Sequence, residues 1–356
     1  MSTQSVIQAT GEHSAQDDNA LNIVATLFSS VPASAAAGDA QDAGRITPPT
    51  GLSEECVLQF AAVVARITPS RLVSWKVLEP GASEPRVVEV QLALQRPVGV
   101  RVQDLRRHAD VTAFEQQNSV SVAAIQSNSV FRTHKRLAVF DMDSTLIQQE
   151  VIDEIARKVG VVAEVSAITA RAMNGELDFT ASLRARCRLL AGVPSDVFEE
   201  LKSVITLTPG AADLVRALKR LGFRTAVLSG GFTPLASWLA GRLGLDYAHA
   251  NHLTVSADGR SLTGDVEGDI VHAERKREHV LRIAKENGIS LDQVLVVGDG
   301  ANDLPMMGVA GLGVAFNAKP KVQLAAPAKV NADSLLDVLY LLGFTKTEVA
   351  ELLQVM

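Results

Sequence analysis

The chain has 356 residues, 47% of them apolar, and a formal net charge of −6 at pH 7. That length allows two or three domains with sizeable cores, and an acidic balance with no concentration of basic residues excludes a general nucleic-acid binder and points to small partners. Two cysteines, Cys56 and Cys187, are too few for a disulfide framework or a complete zinc site and fit a reducing cytoplasm. The first basic residue is Arg45, so no basic segment of a signal peptide is expected, and no apolar run approaches membrane-spanning length.

In chain order, residues 1–20 are polar and residues 29–50 are rich in Ala, Ser, Gly and Pro, so a flexible tail and a flexible loop are expected there. Apolar alternation predicts strands over 21–28, 71–78, 86–94 and 119–126, with amphipathic helices over 53–67 and 102–117. The order β-α-β-β-α-β matches a ferredoxin-like α+β domain over 21–127. One face of such a sheet takes the helices, and the other is expected to be open to a partner sheet or a ligand. A polar bridge over 128–136 reads as a linker.

From residue 137 the pattern changes to short apolar strands, 137–140, 224–229, 293–298 and 312–316, alternating with helices over 211–221, 233–243 and 274–287. Such alternation predicts an α/β domain over 137–356, a Rossmannoid parallel sheet covered on both faces. The interval from about 151 to 205 has helical patterns and no convincing strand, which predicts an inserted helical cap.

In open α/β sheets the ligand site lies beyond the carboxyl ends of the strands. Three predicted strands end there in polar groups: Asp141 and Asp143, then Ser229 with Gly230 and Gly231, then Gly298-Asp299-Gly300-Ala301-Asn302-Asp303. Side chains two apart in an extended segment point the same way, so Asp141 and Asp143 can present two carboxylates to one ligand. Like charges that close call for a cation, and a hard divalent ion completed by a phosphate would relieve them. Any one aspartate at a strand end is as often a turn former or helix cap; two clusters at matching strand ends are harder to explain that way. Among the basic residues of the 274–287 helix, Arg275, Lys276 and Arg277 are alternatives. His249 and His252 have a metal-like spacing but no nearby third ligand type beyond loop acids, and they read as ordinary loop residues.

The stretches Asp-Met-Asp-Ser-Thr (141–145), Leu-Ser-Gly-Gly (228–231), the helix lysine and Gly-Asp-Gly-Ala-Asn-Asp (298–303) together resemble the four motifs of haloacid dehalogenase-like phosphatases over about 137–330. Residues 172–187 resemble the cap of the phosphoserine phosphatase family. The resemblance implies that Asp141 is the nucleophile and Asp143 the general acid and base, and that Mg²⁺ is held by Asp141, the Asp143 carbonyl and Asp299 with Asp303 behind them. It further implies that Ser229, Gly230, Lys276 and Asn302 bind the phosphoryl group, the family spacing selecting Lys276 over its neighbours. In the cap it implies that Glu150 and Arg186 grip the amino and carboxylate groups while Met173 and Phe179 close the site.

The activity so implied is hydrolysis of phosphoserine, the last step of serine synthesis. Transfer of the phosphoryl group to another alcohol, such as homoserine, is the enzymatic alternative. A fragment of an ion pump or an inactive binding protein is the alternative from another class, disfavoured by Asp143, the lack of membrane spans and the complete set of acids. The N-terminal unit resembles an ACT domain in topology, which implies amino-acid binding or self-association, with a homodimer through it as one expectation.

Overall fold

A computed structural model describes residues 20–30, 52–96 and 99–354, except for the side chain of Met173. Almost all of the expected tail, and the expected loop from residue 31 on, lie outside the described residues. The chain forms two compact units, one of residues 1–134, 327–332 and 337–356, the other of residues 135–326 and 333–336.

The first unit contains β1 (Ala20–Ser29), α1 (Glu54–Ile67), β2 (Ser70–Glu79), β3 (Val87–Gln95), α2 (Ala109–Asn118) and β4 (Val120–Ser127). The strands run in the order β2-β3-β1-β4 with every pair antiparallel, as the ferredoxin-like plan requires. Alternate residues of β1 and β3, among them Ile23, Leu27, Val90 and Leu92, bury one face against Phe60 and Val64 of α1 and Phe114 of α2. Ser53 starts α1 by accepting a hydrogen bond from the Cys56 amide at 3.2 Å. The helix expected over 102–117 is broken into a turn at Val102–Leu105 and α2, because His108 leaves the helical conformation and its Nδ1 accepts from the Asp110 amide at 3.2 Å.

The opposite face of this sheet carries Val24, Thr26, Phe28, Val87 and Glu89, all buried, and so is not left open. Residues 337–346 of the same unit cover part of it. Tyr340 packs edge-on to Phe28 with ring centroids 6.2 Å apart, and Arg86 bridges Glu79 and Asp337 while lying over both rings. The Gln126 side chain donates to the Leu341 carbonyl at 3.0 Å. Residues 337–354, expected in the second domain, therefore fold with the first.

The second unit contains β5 (Leu137–Phe140), α3 (Val151–Val159), α4 (Val162–Met173), α5 (Phe179–Arg188), α6 (Ala211–Arg220), β6 (Arg224–Phe232), α7 (Thr233–Leu243), β7 (Tyr247–Val255), β8 (Leu262–Glu267), α8 (Ala273–Glu286), β9 (Val294–Gly298) and β10 (Leu312–Phe316). Its strands run β10-β9-β5-β6-β7-β8, parallel except for β8. Every residue of β5, β9 and β10 is buried, which is why these strands read as unbroken apolar runs. The interval after β5 is helical, as expected. The β7–β8 hairpin falls where the sequence suggested a loop, so His249 and His252 are strand residues; Leu253 and Leu262 anchor the hairpin by burial. Among the described residues no helix is long and apolar enough to cross a membrane.

Candidate active site

β5 delivers Asp141 to the carboxyl edge of the sheet, and the Asp141 amide continues the ladder by donating to the Val297 carbonyl of β9 at 2.9 Å. The chain then turns through Met142–Leu146, where Ser144 takes a left-handed backbone (φ 54°) that costs a non-glycine residue on the order of 1 kcal/mol. That turn aims the Ser144 hydroxyl at Glu150 Oε1, 2.7 Å away. Asp141 and Asp143 both keep extended backbone angles and both line one cavity of about 480 Å³.

β6 supplies the second strand end. Leu228 and Phe232 pair with His249 and Asn251, so residues 229–231 bulge out of register and turn toward the cavity. Asn251, itself buried, braces the bulge: its amide donates to the Gly230 carbonyl at 2.8 Å and its oxygen accepts from Val271. Space is tight at Gly231, where a Cβ would stand 3.1 to 3.3 Å from Ser229 Oγ, Met142 Cε and Asp143 Oδ2, so a side chain there would have to displace these site groups by a few tenths of an ångström. A Cβ at Gly230 would stand 3.1 Å from the Phe179 ring of the cap. Ser229 lies fully buried beneath, its Oγ accepting from the Gly231 amide at 2.8 Å.

The third strand end is β9. Asp299 lines the cavity and accepts from the Thr145 hydroxyl at 3.4 Å, while Asp303 is fully buried behind it. Of the three basic candidates on α8, Lys276 is the one that reaches in: it has no solvent exposure, and its Nζ lies 2.7 Å from Asp141 Oδ1 and 2.8 Å from Asp303 Oδ1. Arg275 pairs instead with Asp269 and Glu278, and Arg277 with Glu274.

The cavity thus gathers Asp141, Asp143, Glu150, Phe179, Arg186, Gly230, Asp299 and Asn302. Ser229, Lys276 and Asp303 do not line it: they are fully buried behind it, Ser229 bonded to the Gly231 amide and Lys276 to Asp141 and Asp303, and the Met173 side chain lies outside the described residues. Sequence reasoning missed Asp153, Thr169 and Lys319 on the walls and Thr145 behind Asp299. Asp153 follows Glu150 by one helical turn, a spacing that could have flagged it.

Electrostatically the site is a crowd of acids. Burial, reinforced by Asp303, raises the Asp141 carboxyl well above its usual range against the pull of Lys276. Burial and then Glu150 raise Asp143 likewise, and burial and Asp303 push Asp299 up to about 7. Burial would lower Lys276, but Asp141 and Asp303 outweigh it and hold the ammonium charged. Burial lowers Arg186, with which no carboxylate of the described residues pairs.

Residues 138–308 match the haloacid dehalogenase-like hydrolases. A probable phosphoserine phosphatase of Schizosaccharomyces pombe is 51% identical over 228 residues, which are 64% of this chain and 76% of that one. The chain belongs to the haloacid dehalogenase-like hydrolases. A solved structure of a phosphoserine phosphatase bearing an analogue of a phospho-aspartyl intermediate is 46% identical to this family member, with a TM-score of 0.54, and covers 58% of this chain and 98% of its own. The unliganded structure of a probable phosphoserine phosphatase from Vibrio cholerae is 29% identical with a TM-score of 0.61, covering 94% of this chain and 89% of its own.

Haloacid dehalogenase-like phosphatases depend on a metal ion, and the donor set here suits one. Asp141, Asp299 and Asp303 each place a carboxylate oxygen within 4.8 Å of the others, against the single ammonium of Lys276. All three donors are hard oxygens, which fit a hard divalent cation rather than a thiolate-seeking metal. A bound cation would return the Asp141 and Asp299 carboxyls, which are in the donor set, to their ionised forms; the Asp143 carboxyl is not in that set.

Proposed function

We propose that this chain is a Mg²⁺-dependent phosphatase that hydrolyses O-phospho-L-serine to L-serine and phosphate, closing serine synthesis in the cytoplasm. The observation that carries the reading is one cavity in which Asp141 and Asp143 face the cap's Glu150 and Arg186. The Arg186 guanidinium donates through Nε to the Ser182 carbonyl at 3.4 Å and has no ion-pair partner among the described residues, which suits it to a carboxylate, and the nearby Glu150 carboxylate suits an ammonium group. Together they select a phosphorylated amino acid.

Asp141 Oδ1 is held by the Met142 amide and by Lys276, both at 2.7 Å, so Oδ2 is the oxygen free to attack phosphorus. The P–O bond to serine breaks as the bond to Oδ2 forms. Asp143 gives the leaving oxygen its proton: its Oδ2 accepts from the Val151 amide at 3.4 Å, while Oδ1 is buried with no partner and its raised pKa keeps the proton available. The same carboxylate then takes a proton from water, which attacks the aspartyl phosphate and frees phosphate and Asp141. Lys276, the Gly230 amide and Asn302 stabilise charge on the phosphoryl oxygens. Mg²⁺, held by Asp141, Asp299 and the Asp143 carbonyl with Asp303 behind, would screen the phosphoryl charge from the carboxylates.

The relatives' names favour hydrolysis over transfer. The test is phosphate release from a panel of phosphomonoesters, with Mg²⁺ or with chelator, and with or without acceptor alcohols. Phosphoserine should be preferred, chelator should abolish release, and added alcohols should not divert the phosphoryl group; a preference for esters lacking an amino acid would refute the reading.

A further inference from the structure

A fourth strand end reaches the cavity. β10 stops at Phe316, Asn317 turns the chain with a left-handed backbone (φ 45°), and Lys319, two residues on, is exposed yet lines the cavity beside Asp299, Gly300 and Asn302. Asn302 and Asp299 mark the phosphoryl side, and Arg186 lies on the cap.

The charges at this mouth are unbalanced. Asp141, Asp143, Glu150, Asp153 and Asp299 line the cavity, against only Arg186 and Lys319 as cations, and a divalent ion held by Asp141 and Asp299 would offset two of these five charges and still leave the acids in excess. Lys276 does not count at first encounter, because it is fully buried and already bound to Asp141 and Asp303. Among the described residues, no carboxylate lies within ion-pairing distance of the Lys319 ammonium. Phosphoserine approaches with a net charge of about −2, most of it on the phosphate. An anion drawn to an acid-lined cavity needs an exposed cation at the entrance, and an unpaired lysine on a flexible stem is a strongly hydrated point charge suited to that task.

We propose that Lys319 is the capture cation of this site: it draws the phosphoryl end of the substrate to the mouth on the Asn302 side before Lys276 and the Gly230 amide take hold. The proposal rests on the phosphatase reading above. Capture acts on association, so it belongs in kcat/KM and depends on salt.

The test uses the full chain with Mg²⁺ and compares wild type with Lys319→Gln, Lys319→Arg and Lys319→Glu on phosphoserine. At about 20 mM ionic strength, where charges act over roughly 20 Å, Lys319→Gln should lower kcat/KM about three- to ten-fold, with kcat changing less than about two-fold. Arginine should restore most of the loss, and glutamate should deepen it. The ratio of wild type to Lys319→Gln should fall toward one near 0.5 M salt, about where the range shrinks to a few ångströms. A ratio near one at low salt, a ratio indifferent to salt, or a loss confined to kcat with a lowered Tm would each overturn the proposal. If wild type ignores phosphoserine, the functional reading fails instead. The capture role is then decided by the same salt series on p-nitrophenyl phosphate, whose dianion meets the same field.

Discussion

Two hydrogen bonds to one oxygen of Asp141 decide how the site works, because they leave the other oxygen to react. Asp141→Asn keeps the shape but replaces a carboxylate with a poor nucleophile, so turnover of phosphoserine should fall by at least about 10³-fold with the circular dichroism unchanged. Asp143→Asn should lose phosphoserine hydrolysis far more than the first step on an aryl phosphate, whose leaving group needs little acid help. Equal losses on the two esters, measured by burst kinetics, would remove Asp143 from that role. Lys276 is a different kind of residue, buried between two carboxylates. Lys276→Met leaves both acids without their cation and should cost about 3 kcal/mol or more of stability, with Mg²⁺ recovering part of the loss in a thermal melt. No Mg²⁺ effect on that melt would argue that the acid cluster does not bind the ion.

At the scale of elements, β7 meets α8 through two imidazoles. His249 and His279 stack with ring centroids 4.2 Å apart and planes 4° from parallel, and Arg282 bonds to both. Burial, then His249 and Arg282, lower His279 to about 4, while Asp269 pulls weakly the other way. The folded protein therefore holds fewer protons here than the unfolded chain, so stability should be lost as pH falls from about 6.5 to about 4 and change no further below that. Half-exposed rings limit this to about 1 kcal/mol at most. His279→Gln should flatten that part of a denaturation-versus-pH curve; an unchanged slope would mean the stack is indifferent to protonation.

This hairpin also shows where the sequence stops being legible. Strands β5, β9 and β10 are buried along their whole length and announce themselves as apolar runs. β7 carries His249, Asn251 and His252, and Asn251 is buried only because its amide serves the β6 bulge, a tertiary need invisible in local pattern. The motif acids were readable because they stand beside those apolar runs. Lys319 was not, since a lysine before a proline reads as an ordinary surface turn and only the left-handed turn at Asn317 brings it to the cavity. The broken helix before β4 was hidden for a similar reason, because a histidine cap is less recognisable than a serine.

Across the whole molecule, the cavity residues lie between Asp141 and Lys319, whereas residues 337–354 belong with the N-terminal sheet. A chain spanning 131–336 should therefore keep metal-dependent phosphatase activity. One spanning 131–356 keeps Asp337 and Tyr340 without Arg86 and Phe28 and should be the less soluble of the two, which sedimentation of the expressed proteins would show. Equal solubility would mean that the C-terminal segment does not need the sheet. In the intact protein, Tyr340→Ala should cost about 3 kcal/mol, from the loss of a buried ring against Phe28 and Arg86.

The central claim is that Asp141 carries the phosphoryl group in mid-reaction. It is tested most directly by acid-quenching the Mg²⁺-loaded protein within its first turnover of phosphoserine and mapping the modified peptide by mass spectrometry. One phosphoryl group on Asp141, labile to hydroxylamine and absent in Asp141→Asn, is the result expected. Release of phosphate with no covalent protein species at any time before the first turnover, or with the group on another residue, would contradict the account.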